Sequence, residues 1–411
     1  MRGIIRGMRE HPLALFPDFR RMFAGRTISA VGDKFFSIAI AWWVLSSGGG
    51  RSKFHLGLIM GMNVLPVVLF GPLLGTLADR SDKRRVMLTA DAARAALVFV
   101  LAMLLLAGRL TLPLLYALCF CIAGFGPLFE SAEAASILRL TSEEMMPQAV
   151  AADSSILQLS NVIGSALGSV LMAAAGVAGA FLFNAAGYAA SFLAILGIRT
   201  PLVPEARTES SFVAEFREGL AYILGNRPLL MLIITFTLFN FFVGPIMLII
   251  PMIVKFTLKA SVTWLAVFEA FFAAGSAALA AALSFKRSYG NVYGWFFAAL
   301  LAVGTAFGGL YFASDKYAVC ALLFAAGGAL GAGNVVLLTL FQTAVPDAVK
   351  GRFFSVLTTL AYAGLPLAFM VTGLLAERFS VGFCIALDSS AVLVLSFMAL
   401  VIPRVEYGDG A

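Results

Sequence analysis

The chain has 411 residues, of which 61% are hydrophobic and only 12% charged, with a mean hydropathy of +0.96. A soluble domain would be roughly a quarter charged, so the solvent of this chain is lipid. The formal charge of +7 sits in particular loops, where it reports topology and argues against a nucleic-acid partner.

The apolar runs are long and lack period-two alternation, so the fold expected is all-α and not a membrane β-barrel. With about twelve crossings of roughly 30 Å each, the predicted spans lie near residues 22–47, 54–78, 86–107, 111–138, 148–176, 178–198, 228–255, 261–285, 291–313, 316–344, 350–376 and 379–402. Most Lys and Arg then fall in one set of loops, which places both termini in the cytoplasm and the chain in the cell (inner) membrane as a multi-pass protein. The basic start is followed by a span too long and too charged for a cleavable signal, so span 1 is retained as a membrane anchor.

Span 1 carries Asp33 and Lys34. An ionised carboxylate near a helix centre costs about 2.5–3.5 kcal/mol on insertion scales, so Asp33 needs a cavity, a partner or a proton. Lys34 points about 100° away around the helix and has to pair elsewhere or snorkel. Between spans 2 and 3 runs Gly75-Thr76-Leu77-Ala78-Asp79-Arg80-Ser81-Asp82-Lys83-Arg84-Arg85, too charged to bury and therefore a tight loop at the membrane face. Asp91 and Arg94 in span 3 are three apart and either neutralise one another or brace this loop.

Span 4 carries Glu130 and Glu133, which share a helix face. Two close carboxylates resist double ionisation, which suits proton exchange or capture of a cation. The alternative is that they salt-bridge to Lys34 or Arg94. Asp153 is expected to cap the start of span 5.

The polar stretch 199–227 separates an N-terminal half, 1–198, from a C-terminal half, 228–411. Within it Phe212, Phe216, Leu220 and Ile223 recur at helical spacing opposite Glu215, Arg217 and Glu218, as in a short helix lying on a membrane surface. The segments 147–176 and 346–373 each enter a long Ser/Gly/Ala-rich helix from a polar loop, a weak internal repeat of the kind paired transporter halves show. In the second half Asn240 in span 7, with Asn334 and Gln342 in span 10, either contact a substrate or hydrogen-bond between helices. Glu269 and Asp388 lie in spans 8 and 12.

Cys119 and Cys121 diverge around a helix, and with Cys320 and Cys384 they form no metal site, so neither metal nor cofactor is expected. No phosphate-binding Gly-rich loop occurs, nor a Ser/His/Asp constellation, so the chain is expected to be neither an ATPase nor an enzyme.

The hinge from Gly75 to Arg85 resembles the loop motif between spans 2 and 3 of the major facilitator superfamily, with Asp82 where that family usually has glycine. Gly25 to Leu45, Phe216 to Pro228 and Val345 to Arg352 resemble the macrolide-efflux branch of drug:proton antiporters. The resemblance implies two pseudo-symmetric six-helix halves around a central cavity lined by spans 1, 4, 7 and 10, working by alternating access. It implies a gating role for Gly75, Asp79, Arg80, Lys83, Arg84 and Arg85, with Asp79 facing the N-terminus of span 11. Span 4 lacks the arginine-containing motif of several proton antiporters, and Ser165 replaces the proline of the usual antiporter motif in span 5.

The function expected is export of an amphipathic or hydrophobic, drug- or macrolide-like molecule, proton-coupled through Asp33, Glu130 or Glu133, by a monomer. Its partners are the bilayer, the small-molecule substrate and protons. The alternatives are export of a natural metabolite such as a siderophore or lysolipid, and a non-transporting membrane receptor or structural protein of the same fold.

Overall fold

A computed structural model describes residues 11–47, 49–203, 212–284 and 291–403. Among them the chain is helical throughout, and its elements follow the expected spans in order. A single turn, Pro12–Leu15, leads into α1 (Pro17–Ser47), α2 (Ser52–Arg80) and α3 (Lys83–Leu106). The fourth span is broken into α4 (Leu112–Gly124) and α5 (Gly126–Leu140). Then comes α6 (Met146–Leu196), whose 51 residues are far too many for one crossing. It consists of two legs meeting at Gly176, where φ is 66°, a conformation that glycine enters without a Cβ clash.

After the linker helix α7 (Phe212–Gly225), the seventh span is α8 (Arg227–Val243) and α9 (Ile246–Met252). The remaining spans are α10 (Val262–Ser284), α11 (Val292–Phe312), α12 (Lys316–Ala344), the pair α13 (Asp347–Ala363) and α14 (Leu365–Arg378), and α15 (Val381–Val401). Eleven stretches of the described residues are long and apolar enough to cross a membrane, and the leg of α6 ahead of Gly176 takes the place of the fifth expected span. The breaks in the fourth, seventh and eleventh spans fall at Gly126-Pro127, Gly244-Pro245 and Gly364-Leu365-Pro366. Proline has no N–H for the preceding turn but suits the first turn of the helix that follows.

Two compact units are present, Met1–Trp43 with Leu65–Arg207 and Val44–Val64 with Thr208–Ala411. Residues 44–64, which include the end of α1 and the first turns of α2, cluster with the second unit. The cause is close packing on α14. A Cβ on Gly57 would lie 2.4 Å from the Phe369 carbonyl oxygen, and one on Gly373 2.9 Å from that of Lys53. Glu377 Oε2 accepts the Lys53 and Phe54 N–H groups at 3.0 and 3.4 Å, capping the N-terminus of α2, while Lys53 Nζ donates to the Ala376 carbonyl at 3.0 Å.

The linker helix forms where the apolar periodicity places it. Its Gly219 side is covered by α13, since a Cβ there would sit 2.6 Å from the Arg352 carbonyl oxygen. Glu218 pairs with Arg352 beside this contact. Protein thus covers a side of the helix that amphipathicity alone assigns to lipid. Residues 204–211 of the linker, and the side chains of Phe212 and Glu215, lie outside the described residues.

Candidate functional site

The first unit brings a set of charged groups together inside the membrane helices. The Gly126-Pro127 restart begins the turns of α5 that carry Phe129, Glu130 and Glu133. Phe129 is fully buried, and two guanidinium groups lie over its ring, that of Arg26 at 5.5 Å and that of Arg94 at 4.7 Å from the centroid. Arg26 Nε lies 3.2 Å from Glu133 Oε2, and an Arg26 terminal nitrogen 3.7 Å from Glu130 Oε1. Arg94 donates to Asp91 at 2.8 Å and also covers the ring of Tyr188 at 4.5 Å. The Tyr188 hydroxyl in turn donates to Asp33. A path of contacts thus runs from Glu130 and Glu133 through Arg26, Phe129, Arg94 and Tyr188 to Asp33.

The partner of the two span-4 acids is neither Lys34 nor Arg94, the candidates that sequence spacing offers, but Arg26. Sequence reading counts Arg26 with the basic N-terminal arm. In the structure it lies well inside α1 and is 7% exposed. Its seven-residue spacing from Asp33, two helical turns or about 10 Å, was the available signal.

Asp153 is also placed differently from expectation. It lies two turns inside α6, where no end N–H is left to cap, and interacts electrostatically with Arg26 and Glu133. Asp91 and Arg94 do pair, as their spacing indicates. Lys34 packs along Gly164, where a Cβ would meet its side chain at 2.7 Å. Helix α1 approaches the second leg of α6 closely too, since a Cβ on Gly25 would be 3.0 Å from the Ser191 Cα.

Gly75 to Arg80 of the expected loop are the last turns of α2, which leaves only Ser81 and Asp82 between α2 and α3, and several of these residues have local partners within the first unit. Asp82, standing where the family usually has glycine, caps α3 by accepting the Arg84 N–H at 3.0 Å and the Arg85 N–H at 3.4 Å. Buried Lys83 donates its N–H to the Leu202 carbonyl and its Nζ to that of Ser81, each at 3.1 Å. The Arg84 guanidinium donates to the Ile195 carbonyl at 3.3 Å and to that of Leu196, at the negative end of α6. Arg85 and Arg80 are exposed, Arg85 lying 3.7 Å from Asp82. Gly75 faces the Ser131 hydroxyl. The side chains of Asp79 and Ser165 lie outside the described residues.

In the second unit Asn240 spends its amide on its own helix, donating to the Phe236 carbonyl at 2.8 Å. Asn334 borders a small cavity of about 10 Å³ lined by Phe236, Phe239, Phe296 and Leu337, while Gln342 is exposed. The structure does not gather these three into one site among the described residues.

The family described as transmembrane secretion effector matches residues 12–410. Macrolide efflux protein A of Streptococcus pyogenes is 22% identical over 399 residues, covering 95% of this chain and 97% of its own. An uncharacterized MFS-type transporter of Bacillus subtilis, YfiS, is 27% identical over 392 residues, covering 92% of each. Among solved structures, a mutant of the nucleoside transporter NupG superposes with a TM-score of 0.76 over 94% of this chain and all of the other, at 13% identity, a likeness of fold. The matched length and the helical plan together make the chain a multi-pass membrane transporter of the major facilitator superfamily, belonging to its transmembrane secretion effector family.

Proposed function

We propose that the protein is a proton-driven exporter of an amphipathic or hydrophobic small molecule, acting as a monomer with both termini in the cytoplasm. The observation that carries this reading is the imbalance of charge inside the first unit. The carboxyl groups of Asp33, Asp91, Glu130, Glu133 and Asp153 outnumber the cationic groups of Arg26, Lys34 and Arg94. Holding the buried and half-buried acids of this set all ionised is costly, so the cluster favours taking up a proton or a cation. Asp91 is committed to Arg94 and Glu133 to Arg26, whereas Asp33 has the neutral Tyr188 hydroxyl as its hydrogen-bond partner. On that ground proton exchange is assigned to Asp33, with Glu130 and Glu133 as the comparison. The name of the streptococcal relative supports the outward direction and the amphipathic substrate class.

Flux in proteoliposomes with and without a pH gradient tests the reading. Asp33→Asn should keep substrate exchange down a substrate gradient and lose accumulation driven by the pH gradient, because the side chain can no longer release a proton. Proton-driven accumulation that survives Asp33→Asn, Glu130→Gln, Glu133→Gln and the triple change removes the cluster from coupling. The loop motif is proposed as the gate, with Asp79→Asn expected to shift the balance of inward and outward accessibility in cysteine labelling.

A further inference from the structure

The surroundings of Arg26 hold three acids, Glu130, Glu133 and Asp153, with Arg94, itself paired to Asp91, as the second guanidinium over the Phe129 ring. Glu133 has 6% of its side chain exposed and gives Oε2 to Arg26, yet its Oε1 is buried with no hydrogen-bond partner. Glu130, on the same face of α5, touches Arg26 only at 3.7 Å and leaves 63% of its side chain exposed. Asp153 contributes a further negative charge from α6. The Phe129 ring lies against the guanidinium. Clustered carboxylates beside an aromatic face form the chemistry that recognises a lipophilic organic cation, and a buried cation of the protein itself already occupies that position.

We propose that Arg26 is a tethered counter-ion in a substrate subsite formed by Glu130, Glu133, Asp153 and Phe129. A protonated amine or quaternary cation on the transported molecule displaces it from the two glutamates. The subsite itself stands on geometry, and only its use in transport rests on the exporter reading. Arg26 is the specificity-determining residue: its charge excludes weakly binding cations and anchors the acids while the site is empty. Glu130, the open and loosely held acid, is the point of entry, and the free oxygen of Glu133 is the second contact. A guanidinium serving only to neutralise Glu133 would be expected to leave neither an unpaired buried oxygen nor a second acid at long range.

The test uses the purified full-length carrier and two probes of one shape and opposite charge, tetraphenylphosphonium and tetraphenylborate, titrated calorimetrically at mildly alkaline pH. Arg26→Gln removes the internal competitor and should tighten phosphonium binding by about tenfold or more, without any gain for the borate. Glu130→Gln, a change at an exposed side chain, should weaken phosphonium binding severalfold in the native background and abolish the gain when combined with Arg26→Gln. Equal effects on both probes, or a folded Arg26→Gln protein with unchanged phosphonium affinity, overturn the proposal. Should Arg26→Gln fail to fold, unchanged phosphonium affinity in Glu130→Gln overturns it alone. A carrier that exports under a pH gradient but shows no charge-selective gain refutes the subsite and leaves the exporter reading standing. A charge-selective gain in a carrier that moves no substrate upholds the subsite and refutes the exporter.

Discussion

Buried ion pairs lie at the centre of the first unit, whereas the tightest approaches of helix backbones are in the second. In the first, buried Arg26 and Arg94 lie over Phe129 and meet Glu133 and Asp91. In the second, a Cβ on Gly327 would be 2.0 Å from the Phe272 carbonyl oxygen, one on Gly275 2.0 Å from that of Phe324, and one on Gly331 2.5 Å from that of Ser276, so α10 and α12 meet along glycines. Gly304 of α11 likewise receives α15, and its carbonyl accepts the Ser389 hydroxyl at 2.9 Å. The buried charged residues of this unit, among those described, are Glu269 and Asp388, both acids. Lipid gives helices no hydrophobic reason to associate, so both units use close van der Waals approach at glycines, as at Gly25 against Ser191 in the first, and the first adds buried ion pairs. The two units therefore have unequal chemistry, with the buried ion pairs of Arg26 with Glu133 and Arg94 with Asp91 in the first.

The contrast is broken most severely by removing one member of a buried pair. Arg94→Ala leaves Asp91, with no exposed surface, facing no cation, and should cost on the order of 3–5 kcal/mol. Detergent thermal melts followed by size exclusion would read this as loss of the monodisperse peak, with partial recovery in the doubly neutral Asp91→Asn/Arg94→Gln protein. Next is Gly327→Leu in the second unit, which changes no charge but forces α10 and α12 apart. A loss of roughly 1–3 kcal/mol is expected, against near neutrality for Gly71→Ala on α2, where a Cβ meets nothing within 4 Å. A Gly327→Leu protein as stable as the native one would remove glycine packing as the basis of the second unit.

Tyr188→Phe sharpens the account of the first unit. It removes the hydroxyl that donates to Asp33 and keeps the ring beneath Arg94, so about 1–2 kcal/mol should be lost. Tyr188→Leu should cost distinctly more, and equal losses in the two variants would place the whole effect in the hydrogen bond. The smallest effect is expected at the linker, where Glu218→Gln unpairs a solvent-accessible bridge to Arg352 and should shift stability by no more than about 1 kcal/mol. A larger shift would mean that charge, and not the Gly219 contact, docks α7 on α13.

The helical plan is legible in the sequence because membrane helices are written as long apolar runs between charges. The expected spans lie within about five residues of the observed ones. The breaks at Gly126-Pro127, Gly244-Pro245 and Gly364-Leu365-Pro366 carry a signal in the same residues that cause them. Glu130 and Glu133 stand out because acids in a span are costly. Their partner is not legible in the same way: an arginine four residues into a predicted span is indistinguishable, by charge counting alone, from one that sets topology. What separates Arg26 from Arg20 and Arg21 is the tertiary approach of α5. That approach depends on a restart geometry which no linear periodicity encodes. The side of α7 covered by α13 is hidden for the same reason, since amphipathicity reports an apolar face and not the surface that meets it.

The capping of α2 by Glu377 joins residues 324 positions apart in the chain. A ribosome adds roughly 5–20 residues per second, so the first turn of α2 exists for roughly 15–65 s before the carboxylate that satisfies it has been synthesised. During that interval the Lys53 and Phe54 N–H groups depend on water or lipid headgroups, and the small-residue surface at Gly57 has no partner. The second helix is thus inserted early and finished late. Truncated chains ending before α14 should expose this end of the helix to any quality-control protease that reads unfinished membrane proteins.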